Sequence, residues 1–339
     1  MKAIFINGKE NMELKNINDI KVGDISGKVL IQPEYVGICG SDIHYLAEGA
    51  SGIAVIKEPL TPGHELGGKL LEDITIDNKL VKKGTPVTVH PATYGKRLED
   101  QPDNPEVWPE GAYLGSARYY PHKQGAMVEK MFVDKSQIRV LPQGLDTKLA
   151  ALAEPLSVGI HAINLAGGVK NKRVLVSGAG PIGYLAAIAA TTLDAKEVVI
   201  TDVLDEPLAR INNLNGIQTV NVTKNSVEKD HFDVILECSG APAAVNASMK
   251  AAKIGGTVIQ VGMLPNDNVG LNLSDMNTKQ IIFKGSYRFN DEIDEAIQLL
   301  NQNNIFNEAI SHVYSIDDYE EAFETARDAK KSCKVLIEI

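Results

Sequence analysis

A short glycine-rich segment, Gly178–Gly183, most strongly constrains what this chain can fold into. It follows the β-branched run Val174–Val176 and opens the alanine-rich, helix-like stretch Pro181–Leu193. Glycines at this spacing let a strand turn tightly into a helix, whose first N–H groups then bind a pyrophosphate. Asp202 ends the next predicted strand 19 residues after Gly183, close to the spacing that a dinucleotide-binding unit requires. The segment therefore predicts a dinucleotide site; a glycine-rich turn without a ligand is the alternative.

The acidic residues near this segment indicate which dinucleotide is bound. A carboxylate at Asp202 accepts hydrogen bonds from a ribose diol but repels a 2′-phosphate, and Asp205 and Glu206 add to that repulsion. The sequence therefore favours NAD over NADP. The residues that we expect at the cofactor lie in the glycine-rich loop and just after later strands: Gly178, Gly180, Pro181, Ile182, Gly183, Asp202, Ser239 and Gly262.

From about residue 150 onward, β-branched runs and helix-like stretches alternate along the chain. This alternation predicts a parallel sheet covered by helices. Further strands and helices of this domain are expected at Val198–Ile200, Asp205–Leu214, Thr219–Val222, Val234–Leu236, Ala241–Ala252, Thr257–Val261 and Ile281–Phe283. The residues from Asp291 onward contain two helix-like stretches, 291–301 and 317–329, and a last strand, Val335–Ile339. These could belong to either domain.

Before about residue 145 the chain has a different character, because glycine, proline and short β-like runs replace the alternation. Runs at Lys28–Tyr35, Pro86–His90 and Met127–Val133, with turns between them, predict a mostly β domain. The polar, proline-rich stretch Tyr94–Gly125 shows little periodicity and is expected to form a long loop or lobe. A length of 339 residues fits two domains.

Three short segments gather side chains that bind metals: Cys39–His44, Gly63–Glu65 and Glu154–Pro155. A catalytic zinc takes three protein ligands from Cys, His and carboxylate and keeps a fourth position open. Cys39, His64 and Glu65 can supply that set. Glu154 is a further candidate, either as a direct ligand or through a metal-bound water.

The neighbours of these candidates suggest further roles in catalysis. Asp42 can fix the tautomer of a metal-bound histidine, or it can simply cap a turn. Ser41 can hydrogen-bond a substrate hydroxyl, and His44 can pass the proton to solvent, although an ordinary surface histidine is the alternative. We therefore predict catalytic roles for Ser41, His44 and Glu154. The loop 115–123 either faces the substrate or is a solvated turn.

Charge and composition exclude several classes of protein. With 34 basic and 44 acidic side chains, the net charge of −10 opposes nucleic acid. The apolar runs fall far short of the ~20 residues needed to span a bilayer, and no signal-peptide pattern is present. We therefore expect a cytoplasmic protein without a membrane partner. Only three cysteines, Cys39, Cys238 and Cys333, exclude a disulfide scaffold and a four-cysteine zinc site.

Together these motifs resemble the zinc-dependent medium-chain dehydrogenase/reductase family. The likeness covers essentially the whole chain, from Cys39–His44 through Gly63–Glu65 and Glu154 to the glycine-rich loop. Cys39–Tyr45 and Tyr287–Phe289 resemble the sorbitol dehydrogenase branch of the family. Other segments resemble the members of that branch that oxidise L-idonate: Leu114–Ala117, Tyr120–His122 and Gly285–Phe289.

The resemblance implies an α/β fold. A GroES-like, β-rich catalytic domain would cover 1–148 and 287–339, and a doubly wound Rossmann domain that binds NAD would cover 149–286. It also implies one catalytic zinc per chain, assembly into a homodimer or homotetramer, and substrate contacts from Tyr45 and Arg288. A sugar acid needs a cationic partner for its carboxylate, which favours Arg288, with Arg118 and Lys123 as further candidates.

The activity implied by the resemblance is oxidation of a secondary hydroxyl of a small sugar acid or polyol by hydride transfer to NAD. L-idonate, giving 5-keto-D-gluconate, is the expected substrate, and sorbitol or xylitol is the alternative. A zinc-free reductase of the same superfamily and a non-catalytic NAD-binding protein are the rival interpretations. Many family members hold a second, structural zinc on four cysteines. Because Tyr94–Gly125 contains no cysteine, we expect that zinc to be absent.

Overall fold

The computed structural model describes residues 1–212 and 214–339, which divide into two compact units. The first unit comprises Met1–Glu154, Ala296–Asp328 and Lys334–Ile339, and the second comprises Pro155–Glu295 and Ala329–Cys333. These divisions, after residues 154 and 295, lie a few residues beyond the boundaries expected after 148 and 286. Among the described residues, no helix is both long and apolar enough to cross a membrane.

Strands dominate the N-terminal part of the first unit. Its elements are β1 (Lys2–Gly8), β2 (Asn11–Asn16), β3 (Lys28–Gly37), α1 (Gly40–Glu48), β4 (Ala50–Ser51), β5 (Ala54–Val55), β6 (Glu65–Leu70), β7 (Ile74–Ile76), β8 (Lys79–Val81), β9 (Pro86–Val89), β10 (Ala92–Thr93), a 3₁₀ turn (Pro105–Val107), β11 (Ala112–Tyr113), β12 (Met131–Asp134), a second 3₁₀ turn (Lys135–Gln137), β13 (Ile138–Val140) and α2 (Thr147–Ala150). The stretch predicted as a long loop, Tyr94–Gly125, contains only one of the 3₁₀ turns and the short β11.

The rest of the chain alternates helix and strand before it returns to the first unit. Its elements are α3 (Ala153–Leu165), β14 (Arg173–Ser177), α4 (Pro181–Thr192), β15 (Glu197–Asp202), α5 (Asp205–Ile211), β16 (Ile217–Asn221), β17 (Phe232–Glu237), α6 (Pro242–Ala251), β18 (Ala252–Gln260), α7 (Ser274–Thr278), β19 (Ile282–Gly285), α8 (Glu292–Gln302), a 3₁₀ helix (Asn304–Ala309), β20 (Ile310–Ser315), a 3₁₀ turn (Ile316–Asp318), α9 (Tyr319–Arg327) and β21 (Lys334–Glu338). The helix predicted over Asp205–Leu214 ends at Ile211; its predicted range includes Asn213, which lies outside the described residues.

A seven-stranded sheet organises the first unit, with the strand order β13-β9-β6-β3-β21-β20 and with β12 also paired to β3. The C-terminal strand β21 runs antiparallel to β3 and parallel to β20. The last strand of the chain therefore completes the sheet that the N-terminal residues begin. Its core is aliphatic, with side chains such as Ile31, Leu66 and Ile337 fully buried.

Six parallel strands form the sheet of the second unit, in the order β16-β15-β14-β17-β18-β19. Numbered from the first strand of the sheet, this order is 3-2-1-4-5-6, which is that of dinucleotide-binding folds. Helix α4 contributes a stretch of buried alanines, and Tyr184 and Ile188 are buried beside them. The parallel, helix-covered sheet confirms the fold class predicted from the alternating pattern.

A contact between a histidine and a glutamate in the second unit is expected to make the stability of this unit depend on acid. His161 Nδ1 lies 2.8 Å from Glu292 Oε1, and the N–H of Asn290 donates to Glu292 Oε2 at 2.8 Å. Burial, the largest influence, opposes ionisation of the carboxyl group. The hydrogen bonds from His161 and the backbone outweigh it and lower the pKa of Glu292 from 4.5 to about 2.

Replacing Glu292 with Gln is therefore expected to weaken the acid dependence of stability. The ionised carboxylate stabilises the fold fully above its unfolded pKa of 4.5, and this contribution is lost as the pH falls towards 2. Urea unfolding of both proteins between about pH 6 and pH 3 measures the difference. We expect the advantage of the wild type to shrink as the pH falls, whereas a constant difference would contradict the assignment.

Candidate active site

Three side chains of the first unit form a potential metal site. Cys39, His64 and Glu65 each offer one donor atom, and these atoms all lie within 4.8 Å of one another. His64 and Glu65 are buried, and Cys39 is partly buried. The structure thus brings together the three residues that the sequence proposes as metal ligands.

Local backbone contacts place these ligands. Cys39 is the residue before helix α1, and His64 lies just before strand β6, which begins at Glu65. The buried carboxylate of Asp42 joins the two segments, because it accepts hydrogen bonds from the N–H of Cys39 at 3.0 Å and of Gly63 at 3.2 Å. Burial raises the pKa of Asp42. Its hydrogen bonds thus go to the backbone beside the ligands and not to the imidazole ring.

A buried lysine lies behind Glu65. Lys334 Nζ is 2.7 Å from both carboxylate oxygens of Glu65 and donates to the carbonyl of Ile38 at 3.2 Å. Both side chains are almost fully buried. Burial disfavours the charge of the lysine, but Glu65 and Cys39 outweigh this and raise the pKa of Lys334. Glu65 therefore sits in a charge-compensated position.

Glycine is required on the strand beside this ion pair. Gly37 is paired with Glu65 across strands β3 and β6. A Cβ atom at Gly37 would lie 2.0 Å from Glu65 Oε2. The Glu65 carboxylate consequently folds over the neighbouring strand only because that strand has no side chain at this point.

Glu154 lies near His64 and Glu65 and has a hydrogen-bond partner of its own. The hydroxyl of Tyr113 donates to Glu154 Oε1 at 2.6 Å, and the Tyr113 ring packs edge-on against His64, with the ring centroids 5.4 Å apart. Burial raises the pKa of Glu154, against the opposing effect of His64. Glu154 is not part of the compact donor set, so its exchange with Glu65 as a ligand stays a proposal.

The donor set fits a zinc ion. His64 Nδ1 is buried and has no hydrogen-bond partner among the described residues, an arrangement that is costly unless another group binds there. Burial works against a charged imidazole, but Cys39, Glu154 and Asp42 raise the pKa of His64 to about 10. The surroundings therefore favour a positive charge at this place, and one sulfur, one nitrogen and one oxygen donor are ligand types that zinc accepts.

The predicted proton-transfer residues lie on helix α1. Ser41 is partly buried, and His44 is exposed, with its Nδ1 3.8 Å from Glu48 Oε1. An exposed imidazole on the helix that follows Cys39 can exchange protons with solvent. These positions are compatible with the roles that we predict for both residues.

The three residues expected at the substrate differ in their surroundings. Tyr45 is buried, and its hydroxyl accepts the N–H of Ala117 at 3.0 Å, so this side chain anchors the loop 115–123. Arg118 in that loop is exposed, with its guanidinium 5.8 Å from the Tyr119 ring centroid. Arg288 belongs to the second unit, and its guanidinium lies 4.9 Å from the centroid of the Tyr287 ring.

The glycine-rich loop has the geometry expected of a dinucleotide site. It leaves β14 and enters α4, with Gly180 as the residue before the helix and Pro181 in its first turn. A Cβ atom at Gly183 would lie 1.9 Å from the carbonyl oxygen of Gly178, so only glycine lets the helix approach the strand end. The first N–H groups of α4 are thereby left at the loop, where a pyrophosphate can bind.

Other predicted cofactor residues lie at the same edge of the parallel sheet. Asp202 ends β15, and its carboxylate accepts the N–H of Ala179 at 2.8 Å and of Leu204 at 3.0 Å. Ser239 and Gly262 follow β17 and β18. The order of strands reverses between β14 and β17, where ligands of open parallel sheets usually bind.

Comparison with known proteins agrees with this geometry. Residues 25–143 match the alcohol dehydrogenase GroES-like domain, and residues 181–302 match the zinc-binding dehydrogenase family. The chain is 35% identical to L-idonate 5-dehydrogenase (NAD(P)(+)) of Escherichia coli over 90% of both chains. It is 33% identical to D-xylulose reductase of Saccharomyces cerevisiae, over 99% of this chain and 97% of that one. The chain belongs to the zinc-binding dehydrogenase family.

A solved structure supports the same assignment. The crystal structure of L-idonate 5-dehydrogenase from Escherichia coli superposes with a TM-score of 0.89 at 31% identity, covering 100% of this chain and 98% of that one. Membership of the zinc-binding dehydrogenases confirms the predicted enzyme class, a zinc-dependent alcohol or polyol dehydrogenase. It also confirms the predicted combination of a GroES-like domain with a nucleotide-binding α/β domain.

Sequence reasoning missed two residues that shape this dehydrogenase site. Lys334 precedes an apolar run at the start of the last strand, where a lysine is ordinarily a surface residue. Tyr113 lies in the stretch Tyr94–Gly125, which the sequence predicts to be a long loop. Neither gives a local signal, because each acts on a carboxylate that is distant in the chain.

Replacing Lys334 with Met is expected to destabilise the metal-free protein by about 3–5 kcal/mol, because it leaves Glu65 as an uncompensated buried charge. Urea unfolding in the presence of a chelator measures the loss without a contribution from zinc. The matched control is the double variant Lys334→Met/Glu65→Gln, in which the buried charge is also removed. It should recover a large part of the lost stability, and equal destabilisation of the single and double variants would contradict the interpretation.

Proposed function

We propose that this protein is a zinc- and NAD-dependent dehydrogenase that oxidises L-idonate to 5-keto-D-gluconate. The observation that carries the proposal is the compact donor set of Cys39, His64 and Glu65, in a chain whose parallel sheet has the strand order of dinucleotide-binding folds. The choice of substrate rests on similarity to L-idonate 5-dehydrogenase of Escherichia coli.

Cys39, His64 and Glu65 hold the zinc in this proposal, with Glu154 as a ligand that can replace Glu65. Zinc supplies Lewis acidity, which makes a secondary hydroxyl group easier to deprotonate. The Tyr113 hydroxyl fixes one oxygen of Glu154, and Lys334 balances the charge of Glu65. The chain thus keeps two carboxylates near the metal without leaving either one unsupported.

Ser41 and His44 remove the hydroxyl proton. Ser41, partly buried on α1, accepts the proton from the substrate hydroxyl as it passes its own proton on, and the exposed His44 delivers a proton to solvent. Bound NAD would accept a hydride from the carbon that carries this hydroxyl group. One hydride and one proton therefore leave the alcohol, and a ketone is formed.

Arg288 binds the substrate carboxylate in this proposal, because a planar guanidinium matches a carboxylate with two hydrogen bonds. Arg118 is a second cationic candidate, on a loop held by the hydroxyl of Tyr45. The Tyr45 hydroxyl is already paired with that loop, so we propose that Tyr45 acts on the substrate chiefly by placing the loop.

NAD is the proposed cofactor in preference to NADP. The Asp202 carboxylate lies at the end of β15 and would repel a 2′-phosphate. The name of the Escherichia coli relative includes both dinucleotides, so the preference is a property to be measured. We also propose a homodimer or homotetramer, as the family resemblance implies.

A polyol is the second candidate substrate. The similarity to D-xylulose reductase of Saccharomyces cerevisiae extends over almost all of this chain, at 33% identity. A polyol such as sorbitol or xylitol has no carboxylate and would need only neutral hydrogen bonds. The two candidates therefore differ in whether a cation in the site matters.

Formation of NADH by the zinc-loaded protein tests the proposal. L-idonate, D-gluconate, sorbitol, xylitol and a simple secondary alcohol are compared side by side, each with NAD and with NADP. We expect kcat/KM to be highest for L-idonate with NAD, by about tenfold over the polyols, which is the magnitude of one charge-assisted contact. Preference for a polyol would contradict the substrate assignment, and absence of turnover on all five would contradict the activity.

Arg288→Ala separates the carboxylate role from general damage to the site. If Arg288 binds the carboxylate, this variant loses L-idonate turnover while sorbitol turnover changes little. Equal losses on both substrates would show that the guanidinium does not recognise the carboxylate. Arg139→Ala is a suitable control, because the Arg139 guanidinium donates to neighbouring backbone carbonyls of Ser136 and Ile138.

A further inference from the structure

A buried carboxylate at the end of β17 holds the loop that follows this strand. Glu237 has no exposed surface. Its Oε1 accepts the N–H of Ser239 at 3.0 Å and also the Ser239 hydroxyl, and its Oε2 accepts the N–H of Gly240 at 3.0 Å. One side chain thus satisfies consecutive backbone donors at the turn that contains Ser239.

The same glutamate also holds the loop after β18. Its Oε2 accepts a further hydrogen bond from the amide of Gln260, whose Nε2 donates in addition to the carbonyl of Gly262 at 2.8 Å. The main-chain carbonyl of Glu237 accepts the N–H groups of Val261 and Gly262, both at 2.8 Å. Glu237 therefore links the ends of two neighbouring strands through both its side chain and its backbone.

The loops joined in this way are packed without spare room. A Cβ atom at Gly262 would lie 2.2 Å from the nitrogen of Gly240, and one at Gly240 would lie 2.3 Å from the carbonyl oxygen of Met263. A Cβ atom at Gly178 would likewise lie 2.9 Å from the nitrogen of Ser239. Main chain packs on main chain across three strand ends, so a small shift in one loop is transmitted to the others.

A carboxylate is an unusual choice if only stability is needed here. The four groups that donate to it are all neutral, so the cost of burying the charge is not offset by any cationic donor among them. What a carboxylate offers is acceptor capacity, since it takes about four hydrogen bonds and a glutamine oxygen takes only two. A glutamate at this position is therefore suited to holding several hydrogen-bond donors at once.

We propose that Glu237 is a positioning residue that holds the loops at Ser239–Gly240 and Val261–Gly262 in the conformation that binds the dinucleotide. The inference rests on the proposed NAD-dependent function. Glu237 itself touches no reacting atom in this account. It acts by keeping the backbone of both loops in its binding geometry before the cofactor arrives, so that binding does not have to order them.

Fluorescence titration of NADH into the zinc-loaded Glu237→Gln variant tests the inference. Glutamine keeps the size of the side chain but turns an amide group towards backbone N–H donors, so the loops must move apart. We expect the Kd for NADH to rise at least about tenfold, equivalent to about 1.4 kcal/mol. The KM for NAD should rise in parallel, while the zinc content stays at the wild-type value.

Asp233→Asn is the matched control. Asp233 lies near the opposite end of the same strand, where it accepts the N–H of Arg173 at 2.7 Å and pairs with Lys253. Loss of this carboxylate is expected to lower the melting temperature but leave the Kd for NADH within about twofold of wild type. If Asp233→Asn weakens NADH binding as much as Glu237→Gln does, the effect is one of general stability and the inference is wrong.

A second variant keeps the test decisive if Glu237→Gln does not fold. Gln260→Leu removes only the side-chain link to the second loop and should raise the Kd for NADH about threefold, less than Glu237→Gln. Wild-type affinity in the variants that fold would overturn the inference while leaving the proposed function intact. If the wild-type protein itself binds neither NADH nor NADPH, the proposed function fails, and the inference fails with it.

Discussion

The ion pair between Glu65 and Lys334 is the interaction on which the candidate metal site depends. Without the lysine, the buried carboxylates of Glu65 and Glu154 would lie near the Cys39 thiol without this positive charge to balance them. Lys334 comes from the last strand, which is paired with β3 beside Gly37. Formation of the first unit's sheet therefore brings the balancing charge from the last strand to candidate ligands at residues 39–65.

In the second unit, the constraint is the close packing of the loops that follow the parallel strands. Its sheet ends in loops that must leave backbone N–H groups available for a pyrophosphate. Glycines allow the close approach, and the carboxylates of Asp202 and Glu237 satisfy the N–H groups that the turns leave unpaired. These two carboxylates thus hold loops on either side of the point where the order of the strands reverses.

Much of the fold and of the candidate site could be predicted from the sequence, because the motifs that indicate them are local. The strand, glycine loop, helix and acid around Gly178–Gly183 predict the parallel sheet, and the cysteine, histidine and glutamate come together as their motifs suggest. Asp42 was harder to interpret, because its residue type fits both a histidine partner and a backbone cap; in the structure it accepts hydrogen bonds from the backbone. Lys334 and Tyr113 could not be found, since their partners are set by strand pairing and loop packing between distant residues.

The most direct test of the account is X-ray absorption at the zinc edge of the purified, zinc-loaded protein. The donor set predicts one zinc per chain with a single sulfur ligand at about 2.3 Å and nitrogen or oxygen ligands at about 2.0–2.2 Å. In Cys39→Ala the sulfur contribution should disappear. Failure of the wild-type protein to retain zinc, or a zinc bound by two or more sulfurs in it, would contradict the central claim that Cys39, His64 and Glu65 form the metal site.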